Sequence, residues 1–305
     1  MTPMSYQDTL EALCAEDDRI VVMTAENRAA IRGLPSKLGP RFIDVGICEQ
    51  TMIGMAAGLA LRGRVPFVHA LSVFLTMRAF EFIRTDLGIA GLKALIVGGV
   101  PGFLSDGNGP THQAIEDIAL MRGIPGMHVF CPADDQDLVE AIPLLTKTDQ
   151  ACYIRYFDGP STVTHRAPVE VGKAETLTEG DDIAILSLGF LLKETAVAQK
   201  LLAERGHATR LLNMRFVSPL DAGAVRDAAK TCKLVVCVED HFKRGGLYSA
   251  VIEQLADEGI HGNVRSIALD QKWFAPGRLP EVLDNEGFTG QKLAQRIETL
   301  FEETV

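Results

Sequence analysis

Glu49 stands at the start of a run of small and apolar residues that continues to Leu61. The periodicity of this run predicts a helix over 49–61, which places Glu49 in the first turn. In one interpretation, a carboxylate in the first turn only complements the helix dipole. Beside an apolar surface, however, a carboxyl group loses its water contacts, which favours the protonated form. Such an acid is suited to giving a proton to a ring nitrogen, so the segment predicts acid–base chemistry at Glu49.

Two glycines leave one side of the same helix without bulky side chains. Gly54 and Gly58 are four residues apart, so they share one side of the predicted helix. Residues this small let another backbone approach closely. We therefore expect this side to meet another helix or another subunit, next to Glu49.

A second candidate segment, SVFLTMRAFEF, covers residues 72–82 and lies within a predicted helix over 73–87. Phe74 and Met77 share a face of that helix, and Phe80 lies close beside it. An aromatic stripe at helical spacing is more typical of a hydrophobic core than of a ligand pocket. By themselves these residues leave both interpretations open.

A third segment, GFLSDGNGPTHQAIEDIALMRGIPG, covers residues 102–126. Gly107 and Gly109 predict a flexible loop, and His112 opens a predicted helix over 112–122. A helix start offers backbone donors, and together with a histidine these can meet a substrate oxygen. A lone histidine at a helix start is nevertheless more often structural.

Two further segments contain residues that could bind an anion. The segment CYIRYFDGP places Arg155 at the end of a predicted strand, near the edge where α/β proteins form their sites. Its guanidinium can bind a phosphate through two hydrogen bonds, or it can form an ion pair. Gly245 and Gly246 precede a predicted helix and indicate a tight backbone approach or an anion nest.

The helices and strands predicted around these residues follow one pattern, which occurs twice. Short apolar runs alternate with helical patterns, which predicts parallel sheets covered on both faces. In the first half the predicted strands are 19–24, 64–71, 92–100, 127–132 and 151–156, with helices over 49–61, 73–87, 112–122 and 135–147. In the second half the predicted strands are 182–189, 207–214, 232–240 and 263–269, with helices over 191–205, 219–231, 245–258 and 290–302. The chain is therefore predicted to form two consecutive three-layer α/β domains with mostly parallel sheets.

A polar, turn-rich segment over 157–182 separates the two series. It predicts a domain boundary near 165–175. We assign residues 1–168 to the first domain and residues 169–305 to the second.

Composition limits the classes of partner. A chain of 305 residues can hold two ordinary domains, and a formal net charge of −10 argues against nucleic acid or an anionic membrane as the main partner. No apolar run approaches the ~20 residues that span a bilayer, and no secretory leader opens the sequence, so we expect a cytoplasmic location. The six cysteines include no CxxC pair, which predicts buried free thiols and no metal site.

Residues 44–84, DVGICEQTMIGMAAGLALRGRVPFVHALSVFLTMRAFEFIR, resemble the pyrimidine-binding domain of transketolases and related enzymes that use thiamine diphosphate. The resemblance implies that Glu49 hydrogen-bonds N1′ of the cofactor's aminopyrimidine ring and is the catalytic acid. It also implies that Phe74, Met77 and Phe80 bind the cofactor. Met77 stands where many transketolases carry a third aromatic residue.

The same resemblance assigns substrate contacts. It implies that His112, within GPTHQ, meets the substrate carbonyl or hydroxyl and stabilises charge, and that Arg155 grips a substrate phosphate. Asn108 replaces an aspartate that reads sugar hydroxyls, and Val100 replaces a histidine of the phosphate site. The substrate pocket is therefore expected to differ from that of an ordinary transketolase.

The resemblance continues through VEDHFKRGGLYSAV, residues 238–251, into the C-terminal domain of that family and covers nearly the whole chain. That domain is expected to support dimerisation, and no chemistry is assigned to Glu239 or His241. No G-D-G motif with an asparagine 25–30 residues later is present. The diphosphate and its Mg²⁺ are therefore expected to be held by an N-terminal transketolase subunit, with two copies of this chain in a heterotetramer.

The resulting hypothesis is the C-terminal subunit of a split transketolase that transfers a two-carbon ketol unit between phosphorylated sugars. Three alternatives stay open. One is a 1-deoxyxylulose-5-phosphate synthase-like subunit, and another is a 2-oxo-acid dehydrogenase β-like subunit; both would decarboxylate a 2-oxo acid. The third is a non-catalytic dimerisation or regulatory subunit.

Overall fold

The structure is a computed structural model that describes residues 4–270 and 272–304. Its strands are β1 Ile20–Thr24, β2 Phe42–Asp44, β3 Val65–Leu71, β4 Leu95–Gly99, β5 His128–Phe130, β6 Cys152–Arg155, β7 Glu175–Thr178, β8 Ile183–Ser187, β9 Thr209–Asn213, β10 Phe216–Ser218, β11 Leu234–Phe242 and β12 Val264–Leu269. Its α-helices are α1 Tyr6–Glu16, α2 Pro35–Leu38, α3 Glu49–Leu61, α4 Phe80–Phe82, α5 Asp117–Arg122, α6 Asp135–Leu145, α7 Leu192–Glu204, α8 Ala222–Thr231, α9 Leu247–Asp257, α10 Leu279–Glu286 and α11 Gly290–Glu302.

The strands form two sheets. The first has the order β10-β5-β6-β4-β3-β1-β2, and the second has the order β12-β11-β8-β9-β7. Within the described chain, neighbouring strands pair in parallel except for β10 against β5 and β7 against β9. The predicted architecture of two α/β domains with mostly parallel sheets is therefore confirmed.

The long buried strands match the predicted apolar runs, since β1 and β8 are buried at every position. The sequence prediction missed β2, β7 and β10, which have three or four residues each. Runs this short give no clear period-2 signal. Their pairing is decided by the neighbouring strands instead.

Side-chain caps explain where several helices begin. Ser5 and Asp8 form a reciprocal capping box at the start of α1. The carboxylates of Asp134 and Asp221 accept backbone N–H groups at the starts of α6 and α8.

Within the described chain, no helix is both long and apolar enough to cross a membrane.

Two predicted helices are altered where the candidate site lies. The segment predicted as a helix over 73–87 contains π-helical turns, Phe74–Arg78 and Ile83–Ile89, on either side of the short α4. The helix predicted over 112–122 begins only at Asp117. The preceding residues form short 3₁₀ segments, Gly102–Asn108 and Pro110–His112.

The cysteines largely follow the sequence prediction. Those at 14, 131, 152, 232 and 237 are buried free thiols. Cys48 is exposed, directly before Glu49.

The two halves are joined by more than a linker. Strand β10 follows β9 of the second sheet directly, yet it completes the first sheet by pairing with β5. One strand of the first sheet therefore lies after the predicted boundary at 168. Burial is also shared, because one hydrophobic core cluster contains residues of both halves, including Val129 and Leu212.

A buried polar cluster ties the halves together beside β10. His165 contacts Asp134 and Glu175, at 2.8 Å in each case. Arg215 donates to Asp137 at 2.7 Å and to Glu175 at 2.8 Å. Buried charges are stable only when they are paired, so this cluster fixes how the halves meet.

The protonation of His165 should make this junction depend on pH. Burial lowers the pKa of His165, but hydrogen bonds to Asp134 and Glu175 outweigh burial and raise the pKa from 6.5 to about 10. The contribution of the charged imidazole to stability is therefore fully present below pH 6.5 and is lost as the pH rises towards about 10. The free energy of unfolding of the native chain minus that of His165→Gln should be largest near pH 6.5 and shrink towards pH 10. Urea unfolding followed by circular dichroism checks this, and a difference that stays constant over the range would contradict it.

Candidate active site

Glu49 is buried at the head of α3, as the sequence predicts for this helix, and its side chain is 2% exposed. Its Oε2 accepts a hydrogen bond from Nη1 of Arg78 at 3.0 Å. The carboxyl group lies at the wall of a cleft of about 640 Å³. The residues lining this cleft are Ala25, Glu26, Asn27, Arg28, Ala29, Arg32, Ile47, Glu49, Leu71 and Phe74.

Arg78 is a site residue that the sequence prediction missed. Its guanidinium carbon lies 4.1 Å from the centre of the Phe74 ring, so the arginine both stacks on Phe74 and pairs with Glu49. The side chain of Arg78 is 41% exposed, in contrast to the buried acid. The signal in the sequence was a lone cation four residues after Phe74 within an aromatic stripe.

The π-helical turn explains why Met77 and Phe80 do not accompany Phe74. A π-helix carries more residues per turn than an α-helix, so the three- and four-residue spacings no longer bring side chains onto one face. Phe80 packs against the core of the first domain, and Met77 is half-buried. Of the three predicted cofactor contacts, the structure brings Phe74 to the cleft, and Met77 and Phe80 are not among the described lining residues.

His112 reaches the same place from another loop. Its ring meets the edge of Phe74 with 5.3 Å between ring centres, and its Nδ1 lies 2.9 Å from the Thr111 hydroxyl. The histidine is half-buried in a 3₁₀ turn and does not open α5. The expected backbone donors of a helix start are therefore absent at His112 in the described structure. The chain instead extends at Gln113, whose buried side chain donates to the carbonyl of Phe274.

The two positions expected to alter substrate specificity differ in environment. Asn108 is exposed, and its Nδ2 donates to the carbonyl of Ser105 at 2.9 Å. Val100 lines a cavity of about 80 Å³ together with His69 and Tyr156. Its φ of 48° is a left-handed conformation that costs a β-branched residue on the order of 1–3 kcal/mol.

Arg155 is not available to a substrate, which corrects its predicted phosphate contact. Its side chain is 3% exposed, and its Nε donates to Asp117 at 2.9 Å while Nη1 pairs with Asp240. Nη2 also donates to the backbone carbonyl of Asp240 at 3.0 Å. The sequence identified an arginine at a strand end but could not show that the second domain covers it with an acid.

Two other arginines line the cleft and were not identified from the sequence. Arg28 forms an ion pair with Asp44, and Arg32 is exposed. They lie four residues apart in ENRAAIR, a segment without a recognisable motif. These are the cations among the cleft's lining residues, and they could meet an anionic ligand.

The glycine pair before α9 holds an acid of this chain. The carboxylate of Glu239 accepts N–H groups from Leu247 and Tyr248, at 2.6 and 2.9 Å, and a side chain at Gly246 would overlap it. The predicted tight approach is confirmed. Burial raises the pKa of Glu239 to about 8, against the effect of the two N–H donors. Burial also lowers the pKa of His241 to about 4, so this histidine is neutral near pH 7.

The geometry around the cleft combines four chemical functions. A buried carboxyl group at Glu49 can exchange a proton with a basic ring atom, and Phe74 offers an aromatic face beside it. His112 can donate or accept a hydrogen bond at the same aromatic ring. Cations at one wall can hold an anion. Together these functions suit a flat heterocyclic cofactor and an anionic substrate.

Both halves of the chain match known protein domains. Residues 1–157 match the family model described as transketolase, pyrimidine binding domain, and residues 172–293 match that described as transketolase, C-terminal domain. The chain belongs to the transketolase family. The transketolase segment with Glu49, Phe74 and His112 lies wholly within the first of these two domains.

Relatives of this transketolase chain include whole enzymes and subunits. It is 37% identical to the 6-deoxy-6-sulfo-D-fructose transketolase subunit SqwH of Clostridium sp. (strain MSTE9), over 83% of this chain and 80% of that protein. It is 32% identical to 1-deoxy-D-xylulose-5-phosphate synthase 1 of Geobacter sulfurreducens, over 96% of this chain but only 47% of that protein. A solved structure titled "Split gene transketolase, inactive beta4 tetramer" superposes with a TM-score of 0.89 at 30% identity, over 98% of both chains.

The pairing of Glu49 with Arg78 can be tested without any ligand. Arg78→Met should lower the free energy of unfolding by about 1–2 kcal/mol, because it leaves a buried carboxyl group without its charged donor. Glu49→Gln should cost less, because an amide oxygen can still accept from Arg78. The measurement is urea unfolding at pH 7.

Arg19→Met is the matched control, since Arg19 pairs with Asp17 while 66% exposed. It should change the free energy of unfolding by no more than about 0.5 kcal/mol. Equal effects of Arg78→Met and Arg19→Met would mean that the buried pair contributes nothing beyond a surface ion pair.

Proposed function

We propose that this chain supplies the pyrimidine-binding half of a two-subunit transketolase that transfers a two-carbon ketol unit between anionic sugars. The observation that carries the proposal is the buried Glu49 carboxyl group beside Phe74 in an open cleft. A buried acid whose charged partner is a half-exposed arginine can exchange that partner for a ligand. Family membership gives the ligand's class.

The residues of the cleft fit the aminopyrimidine ring of thiamine diphosphate. Glu49 would hold a proton at its carboxyl group towards a ring nitrogen, and Phe74 would face the ring. For this, Arg78 has to release Oε2 of Glu49. When bound, thiamine diphosphate supplies the electron sink that allows a carbon–carbon bond next to a carbonyl to break and form.

The remainder of the cofactor site is assigned to a partner chain. Neither matched domain is a diphosphate-binding domain, so we propose that a second subunit holds the diphosphate and its Mg²⁺. Exposed apolar side chains of the first domain support such an assembly. They are Ile47, Met55, Leu61, Phe82 and Ile89. Gly54 and Gly58 are also exposed on α3, and nothing lies within 4 Å of a Cβ placed on Gly58.

The exposed apolar side chains also favour contact between two copies of this chain. Apolar side chains exposed together are typical of protein–protein interfaces. The similar solved structure is titled a beta4 tetramer of a split-gene transketolase, which supports self-association of this half. We propose a pair of these chains within a heterotetramer.

His112 is proposed to act on the substrate. Its ring lies against Phe74, so an imidazole nitrogen can reach a substrate oxygen above the aromatic face. A hydrogen bond from this position would stabilise negative charge as it develops on that oxygen. Arg32 and Arg28 at the cleft wall are proposed to hold the anionic end of the sugar, in place of the buried Arg155.

The anion is proposed to be a phosphate or a sulfonate. Both are tetrahedral groups with several acceptor oxygens, which suit a guanidinium. The sulfonate has support from the relative named as a sulfofructose transketolase subunit. Val100 and Asn108 are the positions at which an altered pocket is expected.

The synthase-type relative supports a second candidate, because this chain aligns with it over 96% of its own length. Such an enzyme would release CO₂ from pyruvate. Ketol transfer releases no CO₂. Measuring both products from the same reconstituted sample separates the two candidates.

The main test is reconstitution of the native chain with the diphosphate-binding partner. The chain alone should be inactive, the pair should transfer ketol units, and Glu49→Gln should lower kcat by at least about a hundredfold, because the proton donor to the ring is lost. Coupled assay of the aldose product measures the activity. Titration calorimetry with thiamine diphosphate gives a second readout, in which Glu49→Gln weakens binding to the pair.

Glu81→Gln is the control, because Glu81 is an exposed acid outside the cleft. Its activity and cofactor affinity should equal those of the native pair. Full turnover by Glu49→Gln would favour the non-catalytic interpretation of this chain. Turnover by the chain without a partner would rule out the two-subunit proposal.

Arg32→Met tests where the substrate anion binds. We expect KM for an anionic sugar to rise by about tenfold or more, because a charge-assisted hydrogen bond is lost, while kcat stays nearly constant. Lys200→Met, an exposed cation on α7, should leave KM unchanged. Steady-state assays with a phosphorylated and a sulfonated sugar show which anion is preferred. An unchanged KM for both would remove Arg32 from the substrate site.

A further inference from the structure

The loop that carries His112 is held by the second domain at both ends. This loop runs from Gly102 to Gln113 and contains the two short 3₁₀ segments before α5. It lies between the cleft on one side and the irregular end of β11 on the other. The pairing of β11 with β12 shifts between Val238 and Phe242 at that end. Asp240 lies within this irregular stretch and contacts the loop.

At the first end, Asp240 contacts the loop backbone directly. Its Oδ2 accepts the N–H of Phe103 at 3.1 Å, while Oδ1 pairs with Nη1 of Arg155. Asp240 is fully buried, so both contacts lie out of water. A buried carboxylate in this position fixes the Phe103 N–H and the arginine relative to each other.

Gly102 shows how close this approach is. A Cβ at this residue would overlap the Asp240 carboxylate and lie 2.6 Å from Nη2 of Arg155. Its φ of 54° is the left-handed conformation that glycine adopts readily. The loop can therefore start at this point only because the residue has no side chain.

At the other end, the second domain uses its backbone. The side chain of Gln113 is buried and donates to the carbonyl of Phe274 at 2.9 Å. The N–H of Phe242 donates to the carbonyl of Ile115 at 2.8 Å. Between the two ends, the ring of Phe103 packs against Phe274 and Phe288, with ring centres 5.1 and 4.9 Å apart.

We propose that the second domain positions the His112 loop, and that Asp240 and Gln113 are the positioning residues through which it acts. His112 itself makes none of these contacts among the described residues, so its ring is free to meet a ligand while the loop backbone is fixed on both sides. The effect of this positioning on catalysis rests on the proposed function. The fixing of the loop backbone rests only on the contacts described above.

The physical test is an exchange of one carboxylate for an amide. Asp240→Asn keeps the shape of the side chain but removes the charge that holds Arg155 and weakens the acceptor for the Phe103 N–H. Glu175→Gln is the matched control. It makes the same chemical change in the buried cluster beside β10, which also joins the domains but does not touch the loop.

The readout is hydrogen–deuterium exchange of backbone amides over 102–113 in the full chain alone, followed by mass spectrometry. We expect exchange in this segment to rise about tenfold or more in Asp240→Asn, as local opening becomes easier. Glu175→Gln should leave the segment unchanged, even at an equal drop in Tm. Equal exchange in the two variants would overturn the proposal.

A second variant keeps the test decisive if Asp240→Asn does not fold. Gln113→Leu removes the donor to the Phe274 carbonyl and leaves the Arg155 ion pairs intact. Faster exchange over 102–113 is expected again. Native exchange rates in Gln113→Leu, at unchanged Tm, would show that the second domain does not hold the loop.

The complete two-subunit enzyme separates this proposal from the proposed function. Asp240→Asn should lower kcat/KM for the sugar about tenfold while the affinity for thiamine diphosphate stays native, because Glu49 and Phe74 lie outside the loop. A general structural defect would weaken cofactor binding as well, and that result would contradict positioning. If exchange changes as expected but the native pair has no transfer activity, the proposed function fails and the positioning of the loop stands.

Discussion

Arg155 pairs with two buried acids, one from each domain, and this pairing joins the two halves of the chain. A guanidinium that is 3% exposed must be neutralised inside the protein, because an unpaired buried charge is very costly. Asp117 supplies one carboxylate from the first domain, and Asp240 supplies the other from the second. The hydroxyl of Tyr153 also donates to Asp117, at 2.7 Å. The two domains must therefore meet in one relative position, and that position brings the loop with His112 to the cleft.

The acid at the cleft has a different kind of partner. Glu49 is nearly as buried as the acids around Arg155, but its charge partner, Arg78, is 41% exposed and stacks on the ring of Phe74. A buried ion pair with two inaccessible members fixes structure. A buried acid with one accessible partner can change partners at modest cost, since water can solvate the departing arginine. The molecule uses the first kind of pair at its domain junction and the second kind at its site.

The junction and the site are linked through the sheet connections. Strand β10 lies in the first sheet although it follows β9 of the second, and the cluster around His165 lies beside it. The second domain therefore contacts the first both at β10 and at the His112 loop. Meanwhile the exposed side of α3, with Gly54, Gly58 and Leu61, remains open to solvent in the single chain. The same helix thus presents its acid to the cleft and its small residues outwards.

The two α/β domains, the bounds of α3 and the position of Glu49 at its head could be predicted from the sequence, because they follow from local periodicity and from long buried strands. The sequence also indicated Phe74 and His112 through short motifs. The partners of the charges became apparent from the three-dimensional structure. It placed Arg78 on Glu49, buried Arg155 against Asp240 and set Arg28 and Arg32 at the cleft wall. It also left Phe74 as the one predicted aromatic contact among the described lining residues of the cleft. The reason is physical: periodicity is a property of neighbouring residues, whereas the partner of a charge is set by residues such as Asp240, which is 85 positions from Arg155 along the chain.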